Sequence, residues 1–116
     1  MPKVAELEGA LLDYWIARVE GLRVEIRSRC AKQHAYIFID TAYQKGIPRI
    51  YSPSLDWVEG GPIIELARIQ IAPVRNKWLA CHEAGDYSGP TPLIAAMRAY
   101  VASKFGDTVP DEVDHG

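Results

Sequence analysis

Cysteine, histidine and unbroken hydrophobicity are all scarce in this chain. Two cysteines among 116 residues, Cys30 and Cys81, are too few for a disulfide framework and fit a reducing compartment. The count allows one disulfide without requiring it. No stretch approaches the ~18 consecutive apolar residues that a membrane span needs. Met1 to Glu8 holds one lysine and two glutamates, not the basic-then-apolar layout of a secretory signal. The expected location is therefore the cytoplasm of the producing cell, with no membrane partner. Neither sign of charge dominates: 13 basic and 15 acidic side chains leave a formal net charge of -2. That balance weakens any case for bulk electrostatic attraction to nucleic acid, which is not an expected partner.

Several chemical signatures are also missing. There is no Walker loop, no Gly-x-Gly-x-x-Gly, no Gly-x-Ser-x-Gly and no Cys-x-x-Cys. No nucleophile, base or cofactor site can be assigned, so a non-enzymatic role is expected. Cys30, His34, Cys81 and His82 could in principle bind zinc, but their spacing matches none of the common zinc motifs. Cys81 and His82 are adjacent in a predicted strand and should point to opposite faces. No metal is expected.

What is present is an ordinary folded-protein composition. Apolar residues make up 48% and charged residues 24%, against a disordered chain. The length suits one small domain, expected over residues 1–108, with an acidic and loosely docked tail over 109–116. Leu7, Leu11, Trp15 and Val19 recur every four residues, with Leu12 and Ile16 beside them. This spacing predicts a helix over Ala5 to Glu20, with Gly9, Asp13 and Glu20 opposite the apolar face and Gly21 ending it. Leu22 to Ser28 alternates as a half-buried strand, Tyr36 to Asp40 reads as a more buried one, and Arg49 to Tyr51 as a short third.

Ser52 to Pro62 is the least regular segment. Ser54 can cap a short turn through Leu55, Asp56 and Trp57. Gly60-Gly61 should then break the chain, and Pro62 should open a second short helix over Ile63 to Leu66. Arg68 to Ala72 and Lys77 to Glu83 read as a hairpin. Val74-Arg75-Asn76 supplies its turn, Asn76 being tolerant of positive φ, and Pro73 marks an edge or an early strand end. Thr91 and Pro92 are an N-cap and a first helical residue, and the helix should run to Phe105 and close at Gly106. Its bulky face is Leu93, Met97, Tyr100 and Val101. Ala95, Ala99, Ala102 and Ser103 form a smooth face for close packing on the sheet or a partner. The architecture expected is α+β: a small, mostly antiparallel sheet with an N-terminal and a C-terminal helix.

Two places offer binding chemistry. Ser88-Gly89-Pro90-Thr91 leads into the last helix, whose free N–H groups and dipole favour an anion; Gly89 would let it approach the backbone. Arg98, less than two turns on, could reach that anion or snorkel to solvent. In the loop Tyr51 to Trp57, Trp57 could stack on a flat ligand or anchor the loop in the core. Asp56 could accept hydrogen bonds from a ligand or cap locally. The expected site is Tyr51, Ser54, Asp56, Trp57, Gly60, Gly61, Gly89, Thr91 and Arg98. Its ligand would be small and anionic, such as a nucleotide. The alternative is an interaction module that meets another protein through the alanine face. A symmetric homodimer is compatible with either.

Four blocks carry a resemblance: ELEGALLDYW at Glu6 to Trp15, YSPSLDW at Tyr51 to Trp57, GGPIIE at Gly60 to Glu65, and GPTPLIAAMRAYVASKFGD at Gly89 to Asp107. Together they resemble the phage NinX-like family, small proteins encoded in tailed phages and prophages. The resemblance implies a phage accessory protein acting in the bacterial cytoplasm. It carries over no functional residue. Cys30 to Pro48, and Cys81 and His82, lie outside these blocks.

Overall fold

The computed structural model describes residues 1–29, 31–83, 85–111 and 113. Cys30 and His115 lie outside the described residues. After a 3-10 turn at Val4–Glu6 come α1 (Gly9–Val19), β1 (Val24–Arg29), β2 (Lys32–Ile39) and β3 (Ile47–Ile50). Then follow α2 (Trp57–Ala67), β4 (Gln70–Val74), β5 (Lys77–His82), β6 (Gly85–Gly89) and α3 (Pro92–Phe105). The fold is α+β, with helices near both ends.

The single expected sheet is two. β1-β2-β3 and β4-β5-β6 are separate three-stranded antiparallel sheets. Each packs on its own helix, α1 on β1 and β2, α3 on β4, β5 and β6, and the two helices pack on each other. Helices in the middle and sheets outside explain an elongated molecule of 46 × 29 × 26 Å.

α1 is buried almost all round, from Leu12 through Ala17. Asp13 is the correction here: it lies inside, 3% exposed, because the Tyr51 to Leu55 loop covers the helix side expected to face solvent. β2 begins at Lys32, four residues before its apolar run. Val24, Ile26, Ala35 and Ile37 all bury one face of the first sheet.

α2 corrects the second expectation. It runs unbroken through Gly60-Gly61-Pro62. Pro62 lies inside the helix, in its second turn, where its missing N–H leaves the Val58 carbonyl without the usual i→i−4 partner. The cap is Asp56, whose carboxylate accepts from the Val58 N–H at 2.9 Å, rather than Ser54. Gly60 is required by packing: a Cβ there would lie 2.6 Å from Leu93 Cδ2 and against the Pro53 carbonyl.

In the second hairpin Arg75, not Asn76, takes positive φ, at 58°. Pro73 lies in edge strand β4, where a missing N–H donor is tolerated. Strand β6 was not anticipated; Ser88 and Gly89 are its last residues and pair with Leu79 and Trp78. Thr91 caps α3, accepting from the Ile94 N–H at 3.1 Å, with Pro92 at its first position as expected. Both faces of α3 are buried, Ala95, Ala99 and Ala102 included. The alanine face is therefore internal and unavailable to a partner. Small side chains let the helix sit close on its sheet, so close that a Cβ on Gly89 would lie 2.8 Å from the Ala95 nitrogen.

The segment after α3 returns to the N-terminus. Lys3 and Thr108 form a β-bridge, the Val109 N–H donates to the Pro2 carbonyl at 3.0 Å, and the Val109 side chain is fully buried. The docked chain thus extends past residue 108.

Candidate functional site

A cavity of about 310 Å³ opens between the start of α1, the start of β2 and the loop after β3; Asp13, His34, Tyr51 and Ser52 are among its lining residues. This volume falls at the lower end of small-ligand sites. Asp13 lies in its wall. The carboxyl accepts from the Ser54 backbone N–H at 2.8 Å. Burial pushes its pKa up to about 6, against the contrary pull of the Ser54 hydroxyl and N–H; the charge of Glu59 adds to the rise. An acid held in this costly state inside a cavity is a functional-site signature.

Around it, burial first and the charge of Glu20 next push the Tyr51 phenol well above its ordinary range. Glu59 anchors the loop: it accepts from the Ser52 N–H at 3.2 Å and pairs with Arg49 at 3.5 Å. The start of β2, Lys32 to Ala35, forms the opposite wall. The start of α1 is uncapped: Glu8 occupies the cap position with no side-chain hydrogen bond to the helix. Gly9 takes φ +60°, with nothing within 4 Å of the place a Cβ would occupy, so the first helical N–H groups are unshielded by a side chain. Acceptor chemistry at Asp13 and donor chemistry at the helix start meet in one volume.

The expected site divides. Ser54, Trp57 and Thr91 do come together, in a separate cleft of about 130 Å³ bounded by Leu55, Pro92 and Leu93. That is small for a nucleotide. Tyr51 belongs to the larger cavity. Asp56 and Thr91 use their side chains as helix caps, while Gly60 and Gly89 sit at close packing contacts. Gly61 lies on the outward side of α2, in open surroundings apart from the Trp57 ring. Arg98 is buried; its Nε donates to the Leu7 carbonyl and its Nη1 to the Ser88 carbonyl, both at 2.8 Å. It ties the N-terminal segment to β6.

Asp13, Lys32 and His34 were missed as members of one site. A signal existed for Asp13: its helical neighbours Ala10, Ile16 and Ala17 are all apolar, an unusual setting for a solvated carboxylate. Nothing local could place β2 beside it. Among the described residues no group of three or more potential ligands could hold a metal ion, and no helix is long and apolar enough to cross a membrane.

No curated protein matches the chain. A family model does, over residues 3–104, spanning α1, all of α3 but its last residue, and all the cavity residues. Membership assigns no activity to any of them. The chain belongs to the phage family described as bacteriophage P22, NinX.

Proposed function

We propose that this phage-family protein is a non-enzymatic binder of a small anionic ligand, held in the cavity beside Asp13. The observation that carries this reading is a carboxyl held inside a cavity, where burial makes its ionisation costly. Such an acid is well suited to accept from a ligand's N–H groups. The uncapped start of α1 suits an anionic group at the other end. A nucleotide combines both features: base N–H donors and a phosphate.

A thermal-shift screen against mono-, di- and cyclic nucleotides tests it. A ligand at 100 times its Kd should stabilise the fold by about 2.7 kcal/mol. Asp13→Asn keeps an acceptor for the Ser54 N–H and should weaken binding without unfolding the protein. No shift across the panel, or full affinity in Asp13→Asn, would reject the cavity as the site.

A second reading, a protein-interaction module, draws on the outward side of α2. Trp57 is 54% exposed, Val58 81% and Leu66 86%, an apolar surface in place of the alanine face. Leu66→Glu should then abolish co-purification of a host or phage protein from infected cells. Recovery of that protein with the variant would remove this surface from consideration.

A further inference from the structure

The first sheet has two faces of different character. α1 covers the side bearing Val24, Ile26, Ala35 and Ile37. The register places Glu25, Arg27, His34, Tyr36, Phe38, Pro48 and Ile50 on the other side. An antiparallel sheet covered on one face ordinarily turns polar residues to solvent on the other. Here the central strand turns out two aromatics, Tyr36 and Phe38, two residues and so roughly 6.7 Å apart.

Guanidinium groups accompany them. The Arg23 guanidinium carbon lies 4.3 Å from the Phe38 ring centroid. That of Arg27 lies 5.1 Å from Phe38 and 5.8 Å from Tyr36. Glu25 holds both: it accepts from Arg27 Nε at 3.2 Å and Nη2 at 2.9 Å, and its other oxygen is 3.6 Å from Arg23. One carboxylate therefore orients two cations and neutralises a single charge. Arg23 remains 69% exposed at its side chain. His34 continues the row, its ring 6.4 Å from Tyr36 and edge-on, and exposed Lys32 follows at the strand's start.

We propose that this face binds single-stranded nucleic acid, with bases stacking on Tyr36 and Phe38 and phosphates meeting Arg23, Arg27 and Lys32. Aromatic rings on a strand accept any base through its π-face, and the flat guanidinium group stacks and pairs with phosphate in the same plane. A duplex hides its bases in the stack and offers this sheet nothing to stack upon. The net charge of -2 does not oppose the reading, because phosphate responds to local charge within about a Debye length, ~10 Å at 0.1 M salt. This face is a different surface from the Asp13 cavity, and the proposal stands apart from that reading.

The test is fluorescence anisotropy on the full chain with labelled oligo-dT and oligo-rU of about 12 nucleotides, within the span of known single-strand sites. Binding should favour single strands over duplex and weaken as salt rises from about 50 to 200 mM. Tyr36→Leu and Phe38→Leu keep apolar bulk on the sheet; each should weaken binding about tenfold or more by removing one stacking surface. Arg27→Gln should lower the salt slope by roughly one. Circular dichroism of each variant checks the fold, and the conservative Tyr36→Phe should restore affinity. No binding at low salt, duplex binding as tight as single-strand binding, or wild-type affinity in folded leucine variants would overturn the proposal. So would displacement of the oligonucleotide by polyglutamate as readily as by unlabelled oligonucleotide.

Discussion

Asp13 concentrates the tension between stability and chemistry in one side chain. Burial raises its pKa from 3.8 to about 6. Between those values the folded chain holds a proton that the unfolded chain releases. The contribution of Asp13 to stability should therefore be greatest below about pH 4, fall as the pH rises towards 6, and level off above it. The full decline attributable to this group is about 3 kcal/mol. Asp13→Asn should remove that decline and be the more stable protein at neutral pH. Urea titrations of both proteins at about pH 4 and 7.5 check this, and an equal decline in the variant would reject Asp13 as its source. Arg98 shows how far a side-chain role depends on surroundings invisible in the local sequence. Beside a capped helix start it reads as an anion ligand. In the fold its donors are committed to Leu7 and Ser88, which lie 91 and 10 residues away.

At the scale of elements, capping and periodicity were legible and continuity was not. The start of α3 followed from Thr91 and Pro92 because a cap is a local hydrogen bond. The unbroken α2 did not follow from Gly60-Gly61-Pro62. Helix propensity disfavours those residues, but close packing of Gly60 on Leu93 and the Pro53 carbonyl outweighs it. β6 was hidden for a related reason: Gly85-Asp86-Tyr87-Ser88-Gly89 has little strand character, and its pairing with β5 supplies what propensity lacks. Gly89 then matters as a packing residue. Gly89→Ala would place a Cβ 2.8 Å from the Ala95 nitrogen and should force α3 away from the sheet, at about 1–3 kcal/mol. Thermal unfolding checks it; unchanged stability would mean that helix and sheet separate freely at this point.

At the scale of the whole molecule, the chain ends are joined. The Val4 N–H donates to the Asp107 carbonyl at 2.8 Å, and the Val109 N–H to Pro2 at 3.0 Å. Tyr87 adds a 2.7 Å hydrogen bond to Asp107, linking the closure to the second sheet. Burial and the strong acceptor Asp107 push the Tyr87 phenol up to about 12. Val109 is fully buried at this seam. Val109→Ala should cost about 2 kcal/mol from lost burial and the resulting cavity. Hydrogen exchange should show faster opening at both termini together, since each holds the other. A local effect at the C-terminus alone would contradict the closure. Net charge is likewise a whole-molecule quantity. It averages the basic aromatic face of the first sheet with acidic residues elsewhere, so it speaks against bulk attraction to nucleic acid and is silent about that face.

The sequence by itself determined the class of fold, the ends of α3, the alternation of β1 and the family, because these rest on interactions between neighbours or on linear patterns of residues. The tertiary structure alone decided that there are two sheets, that Asp13 is inside, that Arg98 is committed, and that a cavity joins α1 to β2. Each of these depends on segments far apart in the chain meeting in space. A side chain's solvation, and with it the free energy of its charge, is set by whatever folds over it.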